Sequence, residues 1–122
     1  DLHLLQEELL MDVLNLGLAV APGQMGENIT TRGIHLLSLS MGTRLRLGSD
    51  AIVEVTGLRN PCAQIEAFKP GLLAAVLDRS PEGCLIRKAG VMAVVLQGGV
   101  VKAGDDIEVA HEPPEFKPLQ PV

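Results

Sequence analysis

Aromatic residues are nearly absent from this chain, which has two Phe, no Trp and no Tyr among its 122 residues. Proteins that hold single-stranded nucleic acid stack the bases on aromatic side chains, and this chain has no set of them to offer. The formal net charge of −5 also excludes the basic footprint that a phosphate backbone requires. We therefore expect no nucleic-acid partner, although a few local cations would suffice to hold a small anionic molecule.

Long apolar runs are missing as well. No run approaches the ~18 apolar residues that a membrane-spanning helix needs. The opening segment is interrupted by Glu7, Glu8 and Asp12, and it lacks a basic leader and a small-residue cleavage site. We expect neither a membrane segment nor a signal peptide, and the two cysteines, Cys62 and Cys84, are then expected to be reduced thiols in the cytoplasm.

The N-terminal part of the chain has helical periodicity. Leu5, Leu9 and Val13 recur at the spacing of one helix face, which predicts an amphipathic helix over residues 3–16 with Gly17 just beyond its end. Glycine and proline punctuate residues 22–33, which predicts a loop.

The middle of the chain is typical of β structure. Residues 43–47 alternate between polar and apolar, residues 51–58 are rich in β-branched side chains, and Gly48-Ser49-Asp50 lies between them. This pattern predicts a hairpin. Residues 90–97 predict a buried strand, followed by a tight turn at Gly98-Gly99 and a return strand over residues 107–110.

Two short helical pieces and a proline-rich end complete the pattern. Asn60-Pro61 predicts a helix start, with Asn60 as the N-cap, and a second helical piece is predicted over residues 69–77. Proline recurs in the tail, residues 111–122, which we expect to run over the surface. One domain over residues 1–122 follows, mainly β, as a small closed or partly open β-barrel with an N-terminal helix and short crossover helices.

Cys62 is the first candidate for chemistry. If Asn60 caps a helix, the thiol lies in the first turn, where free N–H groups and the helix dipole favour a thiolate. Arg59 would add to that effect if it points at the sulfur. A thiolate ligates soft metals, attacks electrophiles or carries a persulfide. The structural alternative is that Cys62 is a small buried apolar residue, as most free cysteines are.

A glycine-rich loop over residues 23–33 is the second candidate. Its glycines would let successive N–H groups point into one concavity, a nest suited to phosphate or another oxyanion. An ordinary loop that satisfies its own backbone is the alternative. The proposed contributors are Gly26, Glu27, Asn28, Thr30 and Thr31.

The remaining polar residues carry weaker signals. Arg87 and Lys88, with Arg79 nearby in sequence, would line an anion pocket or else form a solvated hairpin end. His3, His35 and His111 have no metal-ligand spacing, so we expect them at the surface or at caps. Cys84 has neither a helix start nor a neighbouring metal ligand, and is interpreted as structural.

Four segments occur in the order found in one known family. They are Pro22-Gly23 with Gly26-Glu27-Asn28-Ile29-Thr30-Thr31 and Gly33-Ile34; Gly42-Thr43-Arg44-Leu45-Arg46-Leu47-Gly48; Glu54-Val55-Thr56-Gly57-Leu58-Arg59-Asn60-Pro61-Cys62; and Lys88-Ala89-Gly90-Val91-Met92 running through Gly98-Gly99 to Gly104-Asp105-Asp106-Ile107. Together they cover nearly the whole chain. The sequence resembles the molybdenum-cofactor sulfurase C-terminal (MOSC) domain, and among its members the stand-alone bacterial proteins.

The resemblance implies a β-barrel and a link to the molybdenum cofactor, a molybdopterin, or to sulfur chemistry. The cysteine after Arg-x-Pro corresponds to Cys62, which in relatives is proposed to hold molybdenum or to carry sulfur. The resemblance places the 26–31 loop, Arg59 and Lys88 around an anionic cofactor. Family members also have an N-terminal strand region with a Gly-Asp-x-His-like segment that this sequence lacks, and we expect its absence to leave a sheet edge open.

Three functions follow from the resemblance and the residues. The first is a molybdenum-cofactor-dependent reductase, such as one acting on N-hydroxylated compounds, with Cys62 as metal ligand and a redox protein as partner. The second is a sulfur carrier that uses a Cys62 persulfide and a sulfur-donor protein. The third is a non-catalytic barrel that binds a small molecule or a partner and keeps Cys62 in its core.

Overall fold

The computed structural model describes residues 1–122 and is mainly β. Its strands are β1 Leu2–Gln6, β2 Ile29–Thr31, β3 Arg44–Leu47, β4 Ala51–Leu58, β5 Leu77–Arg79, β6 Leu85–Arg87, β7 Val91–Gln97 and β8 Ile107–His111. Its helices are α1 Glu7–Asn15, α2 Ala63–Phe68 and α3 Leu72–Ala75, with a short 3₁₀ turn at Leu36–Ser38. No helix has the length and apolar character needed to cross a bilayer.

Six strands form one curled sheet in the order β2-β1-β7-β4-β3-β8, and β5 pairs only with β6. Only the β1–β2 pair is parallel; the other neighbours are antiparallel. β2 and β8 are the two edges, so the sheet is a half-barrel and not a closed one. The mainly β, partly open barrel predicted from the sequence is confirmed, with its edges left unpaired.

The predicted hairpin is present as β3 and β4. Leu45 pairs with Val53 and Leu47 with Ala51 across the turn at residues 48–50. Strict alternation along β4 buries every second residue, from Ala51 to Gly57, because side chains of a strand point to opposite faces in turn. The pattern thus fixes which face of the hairpin meets the core.

The predicted helix over residues 3–16 is correct for residues 7–15 and wrong for residues 3–6. Residues 2–6 form β1, and helix α1 begins only at Glu7. β1 is hydrogen-bonded to β2 and β7, and its residues 3–5 are buried on both faces. A strand buried on both faces is continuously apolar and cannot be told from helix by periodicity alone. No Gly or Pro separates β1 from α1 to reveal the boundary.

Two apolar clusters lie on the two sides of this sheet, and adjacent residues of β1 belong to different ones. Leu4 belongs to a cluster with Leu45, Val53, Val91 and the other inward residues of the sheet. Leu5 belongs to a second cluster built with the helices, whose members include Leu9, Val13, Met25, Ile65, Leu72 and Val76. β1 therefore joins the barrel interior to the helical layer.

Helix α1 is docked on the second cluster through Leu9, Leu10 and Val13, all of which are buried. We expect Leu9→Asp to lower the free energy of unfolding by about 3 kcal/mol or more, because it buries an unpaired charge. Met11→Asp is the matched control, since Met11 lies on the same helix and is 56% exposed. Denaturant unfolding of both variants tests this; equal, small losses would show that α1 is not docked.

The last part of the sheet differs from the prediction in its pairing. Residues 98–106 form a long connection and not a tight turn, and β8 pairs with β3 instead of β7. β7 is buried only in its first half, and Val95 and Leu96 are exposed. Alternation identifies a strand but not its neighbour, because pairing is decided by the whole sheet.

The proline-rich tail crosses the surface and is tied down at two points. Lys117 N–H donates to Ser40 Oγ, and Leu58 N–H donates to the carbonyl of Gln120. Leu119 is buried between these points and joins the barrel cluster. The tail thus covers the end of β4 without entering the sheet interior.

Candidate functional site

The candidate residues lie where β1, the end of β4, the start of β7, the 22–28 loop and α2 meet. Arg59 follows β4 directly, and its amide donates to the carbonyl of Gly90, just before β7. Asn28 holds the loop against β1: its N–H donates to the His3 carbonyl at 2.9 Å, and its Oδ1 accepts the His3 N–H at 2.8 Å. Asn28 therefore fixes the loop against β1, while it also lines a separate cleft of about 470 Å³ together with Thr30.

His3 is buried in this junction, contrary to the expected surface position; His35 and His111 are exposed, as expected. Its Nε2 lies 2.6 Å from the Ala89 carbonyl oxygen, and its Nδ1 lies 2.9 Å from Arg59 Nη1. A carbonyl only accepts, so Nε2 carries the proton and Nδ1 accepts from the guanidinium. The ring is thus neutral and bonded at both nitrogens.

Arg59 is a half-buried cation without a carboxylate partner. Its Nη1 donates to His3 and, at 3.4 Å, to the carbonyl of Met25. None of the ion pairs in the structure includes it. Its other N–H groups are free to bind an anion, the usual counterpart of a guanidinium fork.

The carboxylate of Glu27 occupies the glycine-rich loop as an anion that belongs to the chain itself. Glu27 is buried, and its carboxylate accepts from the Met25 N–H at 3.2 Å and from Thr30 Oγ1 at 2.9 Å. The amide of Gly26 donates to the Gly23 carbonyl. These groups satisfy one another, so the loop's amides do not form an open nest. Thr31 differs, because its buried hydroxyl has no hydrogen-bond partner.

Cys62 is exposed. It is the N-cap of α2, which begins at Ala63, so the thiol precedes the first turn of the helix and does not lie within it as predicted. Asn60 does not cap the helix, because its Oδ1 accepts from Arg87 Nε at 3.0 Å. The predicted helix start at Asn60-Pro61 is therefore wrong by two residues. The nearest polar partner of the thiol is Gln64, whose Oε1 lies 4.0 Å from Sγ.

Lys88 makes its contacts with other residues. Its Nζ is 4.0 Å from Asp78 Oδ2, and its amide donates to the Val76 carbonyl. Arg87, the residue before it, is the cation that reaches the 60–62 segment. Cys84 is exposed and contacts Ser80 through its backbone only.

A cavity of about 230 Å³ joins the loop to the segment after β4. Gly26 lies on one side, with Arg59 and Gln64 on another, and its apolar walls are Met25, Ile65, Phe68 and Leu72. Larger clefts of about 470 and 660 Å³ lie between β2 and the residues before β8, but neither contains Arg59 or Gln64. We place the candidate site at the smaller cavity, since the unpaired cation faces it and Cys62 lies beside Gln64.

The pKa of His3 is lowered below its ordinary value of 6.5, chiefly because burial disfavours the charged ring. As the pH falls through 6.5, the unfolded chain takes up a proton that the folded chain resists, so stability is lost. The hydrogen bond to the Ala89 carbonyl favours the protonated ring, as does the charge of Glu27, and the charge of Arg59 opposes it.

We expect the free energy of unfolding to decrease between about pH 6.5 and 5, with a smaller decrease in His3→Asn. Carboxylates and the exposed histidines contribute equally to both proteins, so the difference between the two curves reports His3. Denaturant titrations across this range give the result. Parallel curves for the two proteins would mean that the buried ring does not resist protonation.

This mainly β half-barrel holds Arg59 against the 22–28 loop, three residues before the exposed Cys62. A family model for the MOSC domain matches residues 1–108. This chain belongs to the MOSC domain family. No curated protein matches it by sequence.

Solved structures share the fold. YiiM from Geobacillus stearothermophilus is 25% identical, with a TM-score of 0.73 over 90% of this chain and 54% of that one. YiiM from Escherichia coli is 24% identical, with a TM-score of 0.72 over 95% of this chain and 57% of that one. The YUAD protein from Bacillus subtilis is 24% identical, with a TM-score of 0.68 over 87% and 61%. The chain spans between half and two thirds of these relatives' length.

Sequence reasoning did not find two residues of the site. His3 stands between leucines in an apolar run, and a histidine in such a place must have a partner once it is buried. The sequence pattern around Gln64 predicts an exposed residue of a helix. Nothing in that pattern indicates that Gln64 lines the cavity or lies next to Cys62.

Proposed function

We propose that this chain binds the molybdenum cofactor, with the Cys62 thiolate as a ligand to the metal and Arg59 as a contact to an anionic part of the cofactor. The observation that carries the proposal is the state of Arg59. Its guanidinium is half-buried, has no carboxylate partner and lines the cavity, and Arg59 stands three residues before the exposed Cys62 in the sequence. A cation kept partly buried and unpaired is costly unless an anion completes it.

The metal-ligating side chains of this chain fit a metal whose other ligands come from a cofactor. The chain has no group of three His, Cys, Asp or Glu side chains that would hold a metal ion alone. Of its two exposed thiols, Cys62 and Cys84, Cys62 is the one next to the cavity-lining Gln64, and a thiolate is a ligand that suits a soft metal centre. Such a single protein ligand suffices only for a metal already held by an organic cofactor.

The size of the cavity limits what it holds. About 230 Å³ is below the ~300–1,000 Å³ of sites that enclose a drug-sized molecule. The cavity therefore has room for an anionic group against Arg59, with the rest of the cofactor lying outside it toward Cys62. Exposure of Cys62 leaves that side open to a substrate.

The bound cofactor would supply two-electron redox chemistry, and the reaction we propose is reduction of an N-hydroxylated compound. The residues of this chain have the simpler tasks. Cys62 holds the metal, Arg59 orients the anionic group, and the loop fixed by Asn28 forms one wall. A redox protein is the partner that we propose delivers the electrons.

A sulfur carrier is the second candidate, and the exposure of Cys62 favours it. A thiol that delivers sulfane sulfur must be reached by both a donor and an acceptor protein. Cys62 is exposed, and its thiol has one hydrogen-bond contact, at 4.0 Å to Gln64. Arg59 would then stabilise the negative charge of the persulfide instead of a cofactor.

We expect Cys62→Ser to lose molybdenum loading by at least about tenfold, the loss that removal of even a supporting contact of a metal ligand produces. Cys84→Ser is the matched control because Cys84 is also a free, exposed thiol. The measurement is molybdenum and pterin content after loading under anaerobic conditions, with cyanide-labile sulfur measured on the same samples.

The outcomes separate the candidates. Molybdenum that follows Cys62 supports the cofactor proposal. Cyanide-labile sulfur that follows Cys62, without molybdenum, replaces it with the sulfur carrier. If neither depends on Cys62, both fail, and the chain is a binding module without thiol chemistry.

A further inference from the structure

We infer that His3 is a positioning residue that holds the Arg59 guanidinium at the cavity without neutralising its charge. The inference rests on the proposed function in one respect, that an anion binds at Arg59. It adds a residue that the motifs around Cys62 do not contain, from a different strand and the opposite end of the sequence.

The contacts determine how His3 acts. Ala89 O, at 2.6 Å from Nε2, requires a proton on that nitrogen. The lone pair of Nδ1 is then available to accept from Arg59 Nη1 at 2.9 Å. The ring is therefore an oriented, uncharged acceptor for one of the guanidinium's N–H groups.

A neutral acceptor matters because the natural partner of arginine is a carboxylate. Glu27 is an acid whose charge acts on His3, but its oxygens accept hydrogen bonds from Met25 and Thr30. A carboxylate at position 3 would fix Arg59 equally well and would cancel its charge. Histidine fixes the side chain and leaves the full positive charge for a ligand.

The position of the ring is restricted by its backbone and by its neighbours. The His3 backbone is bonded in both directions to Asn28, at 2.8 and 2.9 Å. Gly90 packs against the ring so closely that a Cβ there would lie 2.9 Å from Nε2. A rigid support loses little entropy when it orders a long, flexible side chain, and this is the purpose of a positioning residue.

Two conservative variants separate the roles of the two nitrogens. In His3→Asn the amide oxygen stands near the place of Nδ1 and can still accept from Arg59. In His3→Gln the amide nitrogen stands near the place of Nε2 and can still donate to Ala89, but the acceptor for Arg59 is lost. Both variants remove the imidazole ring from a buried position and keep a neutral amide there. His3→Glu fixes Arg59 and neutralises it.

The probe is inorganic phosphate, titrated by calorimetry into the folded full chain without molybdenum. We expect His3→Asn to bind within about threefold of the parent, and His3→Gln and His3→Glu to bind at least about tenfold more weakly. ¹⁵N NMR of the Arg59 side chain is the second measurement. We expect slow rotation about the Cζ–Nη1 bond in the parent and His3→Asn, and fast rotation in His3→Gln.

Several results would overturn the inference. They are phosphate binding by His3→Gln at the parent's affinity, free rotation of Arg59 in the parent, equal loss of binding in His3→Asn and His3→Gln, and no phosphate binding by the parent. None of these measurements involves Cys62 or molybdenum. Failure of the cofactor proposal would appear only in the metal content, so the two failures are distinguishable.

Discussion

We expect Gly90→Ala to be the most destabilising of the single substitutions considered for this protein. A Cβ at position 90 would lie 2.2 Å from the Leu4 carbonyl oxygen, which is backbone of β1 and cannot rotate away. Gly90 also has φ +95°, a conformation that costs an L-residue about 1–3 kcal/mol. Overpacking adds about 1–3 kcal/mol. Together these approach the whole stability of a small domain.

Gly83→Ala is the matched control for Gly90→Ala. Gly83 has a similar φ of +84°, but nothing lies within 4 Å of a Cβ there. We expect it to lose only about 1 kcal/mol, and the difference between the variants is the cost of forcing β1 away from β7. Thermal and denaturant unfolding measure both. Equal losses would contradict the close approach of Gly90 to Leu4.

The second large effect is expected at Arg59. Arg59→Gln should reduce loading with the molybdenum cofactor by at least about tenfold, because a hydrogen bond to a charged group contributes about 1.5–3 kcal/mol, and 1.4 kcal/mol is a factor of ten in affinity. Stability should change far less, since the guanidinium bonds only to His3 and Met25.

Arg79→Gln is the control for Arg59→Gln. It removes the same charge from an exposed arginine whose Nη1 bonds only to the Gly83 carbonyl. The control excludes a general effect of net charge, and loading measured at two salt concentrations would show whether the effect is local. Equal loading of the two variants would mean that Arg59 does not contact the cofactor.

Much of the fold follows from sequence pattern, and the exceptions have physical causes. Alternation over residues 43–58 gives the hairpin correctly because one face of it is buried and the other is half-exposed. β1 fails because both of its faces are buried, which removes the alternation. β8 is found as a strand, but its partner β3 is distant in sequence, and no local pattern encodes that pairing.

The candidate site was predicted less completely than the fold. Gly26 and Arg59 line the same cavity, whereas Lys88 lies beside Asp78 and away from it. The glycine pattern indicated an anion nest, but spacing cannot show that Glu27 turns inward and satisfies the loop's own donors. Burial and hydrogen-bond saturation are properties of the folded chain, so residues such as His3 become visible only there.

The central claim is that the Cys62 sulfur is a ligand to molybdenum. X-ray absorption at the molybdenum edge tests it most directly, on the loaded parent and on the Cys62→Ser and Cys84→Ser variants. The account predicts that molybdenum in the parent and in Cys84→Ser has one more sulfur ligand than the molybdenum that Cys62→Ser retains. The reason is that a serine hydroxyl is a poor ligand for a soft metal. An identical sulfur count in all three proteins would contradict it.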